Sequence, residues 1–454
     1  MDEPACPGCR ALLKRVAELE ALVADLSRRL EEALRGGKRQ AAPFAKRPPK
    51  PTPNPPGRKA GDAHGPHGHR PPPPPDQIDE LHEARLPDHC PCGGAVAETE
   101  VVAQFQTDIP RRPIVRRFNV HVGRCLSCGG RVQGRHPLQT SDAVGAAASQ
   151  VGPNAQAAAV LLNKRAGLSH GKVAAAFDAL FGLRLTRGAS AQIVLRAADR
   201  CRPVYESIRH AARDSPVVVP DETGWRVGGW LAWLHAFAGP EVTCYVIDPT
   251  RSGRPAAELL GDDYSGILIH DGWSAYDSFA AARHQQCLAH LLRRCRELLE
   301  TASRGAVRFP RAVAALLRAA LGLRDRHAAG AVSDHGLAIA RGRLSNRLRE
   351  LVWPAKTHPG NERLAAFLWD HRDDLFTFLA EPGLDATNWR AEQAIRPAVV
   401  NRKVWGGNRT WAGAAAQAVL MSVLATSRQV GRDALDYISL ALRSPVTPAL
   451  LTAA

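Results

Sequence analysis

Residues 217–225 read VVVPDETGW. Three β-branched residues favour a strand, Pro220 has no amide to give a central ladder, and two adjacent carboxylates, Asp221 and Glu222, follow beside Gly224 and Trp225. An apolar strand that ends on acid is either a solvated turn or half of a metal site. The theme recurs in GILIHDGWSAYDSF (266–279), where Ile267, Leu268 and Ile269 lead into His270 and Asp271. Between the two, WLAWLHAFA (230–238) and EVTCYVID (241–248) flank Gly239-Pro240 as an antiparallel hairpin, and RPAAELLG (254–261) reads as a short helix. A helical crossover makes the two Asp-ending strands parallel neighbours. Asp221 and Asp271 then emerge at one carboxyl edge of the sheet, where open α/β sheets place ligands. Two carboxylates held that close repel unless a cation lies between them, and hard oxygen donors select Mg²⁺ or Mn²⁺.

A third acid lies far downstream, in DATNWRAEQAIRPAVVNRKVWGG (385–407). Asn388, Glu392 and Arg396 share one helical face at i, i+4 and i+8, just before Pro397, which is expected to end or kink the helix. Spacing alone equally describes a surface Glu392–Arg396 pair. The long gap between Asp271 and Glu392 is filled by LAHLLRRCRELLE (288–300), RAVAALLRAALGLRDRH (311–327) and RLAAFLWDHRDDLFTFL (363–379), all at helical period.

The remainder of the chain points to a polyanion. Lys and Arg total 60 against 44 acids, a net charge of +16 in 454 residues, so nucleic acid is the expected partner. No apolar run is long enough to span a bilayer and no secretory signal opens the chain, which gives a cytoplasmic, nucleoid-associated expectation with no membrane partner. Residues 11–35 carry a heptad seam with Val16, Val23 and Leu30 at a and Leu12, Leu19 and Leu26 at d, the pattern of a parallel homodimeric coil. The segment that follows is rich in Pro, Lys and Arg around the single acid Asp62, a basic tether that cannot bury a core.

Ten cysteines without a secretory context suit thiolate ligands or buried thiols rather than disulfides. Cys90 and Cys92 in HCPCGG (89–94), with Cys125 and Cys128 in RCLSCGG (124–130), read as four ligands of one structural Zn²⁺; His89 and His136 are alternative ligands. The segment SHGKVAAAFDALFGLRLTRGASAQIVLRAADRC (169–201) reads as helix, turn, helix, with Thr186 or Ser190 as cap, either a DNA-reading motif or a plain helical hairpin. Cys287 and His290 share a helix face and read as fold support, two ligands being too few for a metal. Arg293, Arg294, Arg396, Arg402 and Lys403 are the candidate DNA-phosphate contacts, and Trp405 and Trp411 are either core or base-stacking platforms.

PDETGW, HDGWSAY, C-x-x-H followed by arginines, and N-x-x-x-E-x-x-I-R-P with NRK, in this order, resemble the DDE transposases of the insertion sequence 66 family. That family also carries an N-terminal coil, a basic Pro-rich linker and a cysteine-paired zinc module. The resemblance implies an RNase H-like α/β core, a mixed five-stranded sheet with helices, interrupted by a helical insertion. Its catalytic acids by motif match are Asp221, Asp271 and Glu392, with Glu222 a neighbour and not a ligand. It further implies two Mg²⁺ or Mn²⁺ ions, cleavage at transposon ends and transfer of the 3′-OH into target DNA, with accessory transposon proteins as further partners. The rival readings are a catalytically silent DNA-binding partner protein and a stand-alone nuclease of the same fold. The expected order is coil (1–36), linker (37–76), zinc module (77–140), helical domain (141–213), first part of the core (214–287), helical insertion (288–380), last part of the core (381–430) and a helical tail (431–454).

Overall fold

A computed structural model describes residues 150–451 continuously, together with 15, 16, 19, 72–82, 87, 91, 92, 94, 95, 100–105, 113–139 and 142–144. Most of the expected coil, the linker and Cys90 lie outside the described residues. The chain divides into two units, residues 44–115 and the remainder, so the two cysteine clusters fall in different units. No helix among the described residues is long and apolar enough to cross a membrane.

In the larger unit a small ribbon, β1 (Val122–Arg124) with β2 (Arg131–Gln133), carries the second cysteine cluster at its turn. Three helices follow: α1 (Pro153–Lys164), α2 (His170–Phe181) and α3 (Arg187–Arg213). Their breaks fall where the sequence puts them. Ser169 Oγ caps α2 by accepting from Lys172 N, Gly182 ends it at φ 63°, and Thr186 Oγ1 caps α3 by accepting from Ala189 N.

The sheet that follows has five strands: β3 (Val217–Val227), β4 (Trp230–Ala238), β5 (Thr243–Asp248), β6 (Ile267–His270) and β7 (Arg283–Gln286), in spatial order β5-β4-β3-β6-β7. β4 is antiparallel to β3 and β5, while β3, β6 and β7 run parallel. Helix α4 (Arg254–Leu260) makes the crossover from β5 to β6. This is the mixed α/β arrangement expected of an RNase H-like core.

One expectation is corrected here. β3 does not end on its acids. It continues through them to Val227, paired with β4 from Val219↔Ala238 to Val227↔Trp230. The reason is the Gly228-Gly229 turn, whose φ values of 60° and 84° suit a two-residue hairpin and extend the ladder past Asp221.

Helices α5 (Leu288–Thr301), α6 (Arg308–Ala328), α7 (Asp334–Val352) and α8 (Pro359–Asp370) form the segment between β7 and the last acid, and their apolar faces share a core with Val219, Ile267 and Ile269 of the sheet. The pattern 363–379 is not one helix, because α8 stops at Asp370. Its continuation lies along the sheet edge, where Asp374 O accepts from Gln286 N and Gln285 Oε1 accepts from Phe378 N. Helix α9 (Trp389–Trp405) carries Glu392 and packs Ile395 and Ala398 against Trp225 and Leu234. Pro397 neither ends nor breaks it; the carbonyl deprived of a donor belongs to Gln393, which is exposed to water.

Helix α10 (Trp411–Gln429) then covers the open edge of β5. Ser422 Oγ accepts from Tyr245 N at 2.8 Å and Thr426 Oγ1 accepts from Thr243 N at 3.2 Å. Side-chain hydroxyls thus satisfy edge amides that would otherwise be buried without partners. Helix α11 (Ala434–Arg443) closes the second face, where Val218, Phe237 and Leu268 share a core with α1, α2 and α3.

Candidate active site

Asp221 sits in the middle of β3 and Asp271 is the first residue after β6. The parallel register Val217↔Ile267 and Val218↔Leu268, counted four and three residues onward, brings the two aspartates level on adjacent strands. Asp271 Oδ1 accepts from Trp273 N at 3.0 Å, which fixes the carboxylate over the turn that Gly272 makes at φ 89°. Asp221 Oδ1 accepts from Glu222 N at 2.9 Å.

Glu392 enters from α9, in its first turn. The start of that helix is tied to the start of α5. Asn388 N donates to Cys287 Sγ at 3.3 Å, and Leu288 N donates to Ala386 O at 2.9 Å. Cys287 is buried, and its sulfur accepts the Asn388 amide. His290, one turn along α5, places Nε2 3.8 Å from Glu392 Oε1, while its Nδ1 is buried with no partner. Burial holds the His290 imidazole below its ordinary range, with Asp271 and Glu392 pulling the other way. Glu392 therefore faces His290, and Arg396 donates instead to Gln393 Oε1 at 3.3 Å.

Asp221 feels the charge of its acidic neighbours. The Asp221 carboxyl is pushed up to about 7, first by burial and then by the charges of Glu222, Asp271 and Glu392, against the opposing pull of the Glu222 amide. Segments far apart in the chain thus converge their negative charge on one half-buried side chain. Among the described residues no three His, Cys, Asp or Glu side chains stand close enough to form a preassembled metal cage. The three candidate side chains offer carboxylate oxygens only, the donor type that hard divalent cations take.

Strand alternation separates the adjacent pair PDE. Asp221 lies on the face of β3 that carries Trp225 and packs toward α9, and Glu222 lies on the other. There Glu222 Oε1 accepts from Arg251 Nη2 at 2.7 Å and Nε at 3.0 Å, and Oε2 accepts from Tyr276 Oη at 3.3 Å. Sequence pattern does not mark Arg251, because nothing local to TRSG (250–253) points to a partner for an acid 29 positions earlier.

The remaining candidates divide. Arg293 and Lys403 are exposed. The Arg294 guanidinium stacks 4.4 Å over the Phe367 ring, beside the acids' side of α5. Arg402 turns inward and donates to Gly224 O, joining α9 to β3, so it is less available to a phosphate than the sequence suggested. Trp405 is partly buried against the core: it meets Trp225 edge-on at 5.8 Å and carries the Lys164 ammonium 5.5 Å over its ring. Trp411 is 51% exposed. In the ribbon, Cys125 N donates to Gly130 O and Gly129 N to Cys125 O, and the Cys125 thiol is held below its ordinary value by the amides of Cys128 and Ser127.

Residues 148–416, from just before α1 into α10, match the transposase IS66 family. The chain belongs to that family. Asp221, Asp271, Glu392 and the helical segment between them all lie inside the matched span, whereas the cysteine clusters lie outside it. The IS66 family chain is also 28% identical over 237 residues to the uncharacterized protein y4qI of Sinorhizobium fredii, across 46% of its own length and 42% of that protein's. It thus spans less than half the length of the curated relative it matches.

Proposed function

We propose that this IS66 family chain is a DDE transposase that cleaves transposon ends and joins the freed 3′-OH to target DNA, using Asp221, Asp271 and Glu392 as the ligands of two Mg²⁺ or Mn²⁺ ions. The observation that carries the reading is the β3–β6 register, which sets Asp221 level with Asp271 on adjacent parallel strands. When bound, divalent cations supply Lewis acidity to the attacking and leaving oxygens of phosphodiester exchange. The protein's part is positional. β3 and β6 present two carboxylates at one sheet edge, α9 swings the third in beside His290, and Cys287 fixes the start of that helix. Arg293, Arg294 and Lys403 offer cations to flanking phosphates, with Arg396 further along the exposed face of α9.

The test is direct. Purified full-length protein is incubated in Mg²⁺ with duplexes bearing the inverted repeats that flank the gene and with a target plasmid. The expected products are nicked ends and ends joined to the plasmid. Hydrolysed products alone would favour the stand-alone nuclease, and DNA binding without cleavage in Mg²⁺ or Mn²⁺ would favour the silent partner protein.

The N-terminal region adds two proposals. The heptads at 11–35 would pair two protomers, and so two DNA ends, in a parallel coil. Cys90, Cys92, Cys125 and Cys128 would hold one structural Zn²⁺, a reading supported by the amide-stabilised Cys125 thiol and by Gly94 and Gly130, whose missing Cβ atoms would stand 3.6 and 3.3 Å from Cys92 and Cys128 Sγ. Elemental analysis of the purified chain is expected to find about one zinc per chain, and Cys125→Ser is expected to lose it. Zinc retained at full stoichiometry in that variant would remove Cys125 from the ligand set.

A further inference from the structure

Arg251 lies three residues beyond the end of β5 in a loop that is pinned at its base. Thr250 N and Oγ1 both donate to Asp248 Oδ1 at 2.8 Å, and Arg254 pairs with the same carboxylate. The Arg251 guanidinium lies 5.0 Å from the Trp233 ring and 5.1 Å from the Trp273 ring, so it is sandwiched between indoles from β4 and from the turn after Asp271. Glu222 holds it from below through two hydrogen bonds to one oxygen. The burial of the pair is lopsided: the Glu222 side chain is 5% exposed and that of Arg251 is 46% exposed. Two of the five guanidinium N–H groups are taken by Glu222, while nearly half of the Arg251 side chain stays open to water.

We propose that Arg251 is a DNA-phosphate anchor on the Glu222 face of β3, beside the turn that follows Asp271, held ready by a cage of Glu222, Trp233 and Trp273. The placement favours this over a plain loop staple. The cage lies next to both aspartates in the chain, Glu222 following Asp221 and Trp273 donating its amide to Asp271. A guanidinium fixed on two aromatic faces has already lost its rotamer freedom, so a phosphate binding to its outward edge meets a preorganised fork. The same cage withdraws Glu222 from the acid set, because its two oxygens are committed to Arg251 and Tyr276.

The inference rests on the proposal that the cleft takes DNA, and the two can fail separately. Binding of a labelled duplex with the flanking inverted repeat is measured over a range of salt concentrations in Ca²⁺, for the full-length wild type, Arg251→Ala and Arg251→Gln. The glutamine amide is flat enough to stay between the indoles and keeps a hydrogen bond to Glu222, so it preserves the loop while removing the charge. Both variants are expected to bind roughly tenfold more weakly at low salt. The slope of log K against log salt is expected to become shallower by about 0.9, the change for one lost phosphate contact. A structural staple would not move that slope. Either variant, folded and with the wild-type slope, overturns the anchor. A wild-type protein with no affinity for the duplex overturns the DNA reading itself.

Discussion

Asp271→Asn is expected to lower Mg²⁺-dependent cleavage and joining about a thousandfold or more while leaving DNA affinity in the absence of Mg²⁺ within about twofold. The substitution is close to isosteric, and the oxygen of the new side-chain amide can still accept the Trp273 amide proton that Asp271 Oδ1 accepts at 3.0 Å. The turn at Gly272 therefore survives and only the charge is lost. A cation held by three carboxylates is worth several kcal/mol of transition-state stabilisation, and about 4 kcal/mol corresponds to three orders of magnitude in rate. Glu392→Gln is expected to match it, since Glu392 is the sole acid that α9 brings to the cleft beside His290. Glu222→Gln is the informative contrast. Its carboxylate is on the other face of β3 and already compensated by Arg251, so chemistry is expected to fall less than tenfold. Single-turnover cleavage of an end duplex measures all three. An Asp271→Asn enzyme retaining a tenth of the wild-type rate would take that acid out of the mechanism.

The sequence carried the sheet because its signals there are local. Ile267 to Ile269, the hairpin about Gly239-Pro240 and the crossover helix each declare themselves within a few residues, and a right-handed crossover then leaves the aspartates little choice of edge. The helices between β7 and Glu392 were legible for the same reason, through their 3.6-residue period. What local pattern hid was the length of β3. Gly228-Gly229 is a hairpin signal, but it stands behind polar Asp221, Glu222 and Thr223, which suggest a loop. Without a strand running through the acids, alternation cannot be applied to them, and the opposite fates of Asp221 and Glu222 stay hidden. The Glu222–Arg251 cage and the α10 hydroxyls on β5 were invisible because each joins residues far apart in the chain. The end of α8 is a case of competition: helical pattern continues past Asp370, yet the edge of β7 needs the backbone of Asp374.

Asp221→Asn is expected to stabilise the Mg²⁺-free protein, and to do so more at high pH than at low. The folded carboxyl is raised to about 7 from an ordinary 3.8, chiefly by burial. Between those values the folded chain holds a proton that the unfolded chain has released. Folding stability from this group is thus greatest below about pH 4, falls as pH rises toward 7 and is flat above it. From pH 5 to pH 8 the loss amounts to about 2–3 kcal/mol, taking 1.36 kcal/mol per pKa unit. Histidines act in the opposite sense. His170 and His235, both lowered to about 4 by burial, add stability as pH rises toward their ordinary 6.5, so the wild-type profile alone would mix the two effects. Subtracting the wild type from Asp221→Asn isolates the aspartate. Urea unfolding at pH 5 and pH 8, in Mg²⁺-free buffer without chelator so that the proposed zinc site is undisturbed, is expected to show the variant's advantage growing by that amount. Adding Mg²⁺ at pH 8 is expected to stabilise the wild type and leave the variant nearly unchanged, because a ligand that binds only the folded state acts in proportion to its affinity for it. An advantage that does not change with pH would mean that Asp221 is an ordinary solvated carboxylate. The crowding of acids at the sheet edge, from which the enzymatic reading starts, would then have no energetic substance.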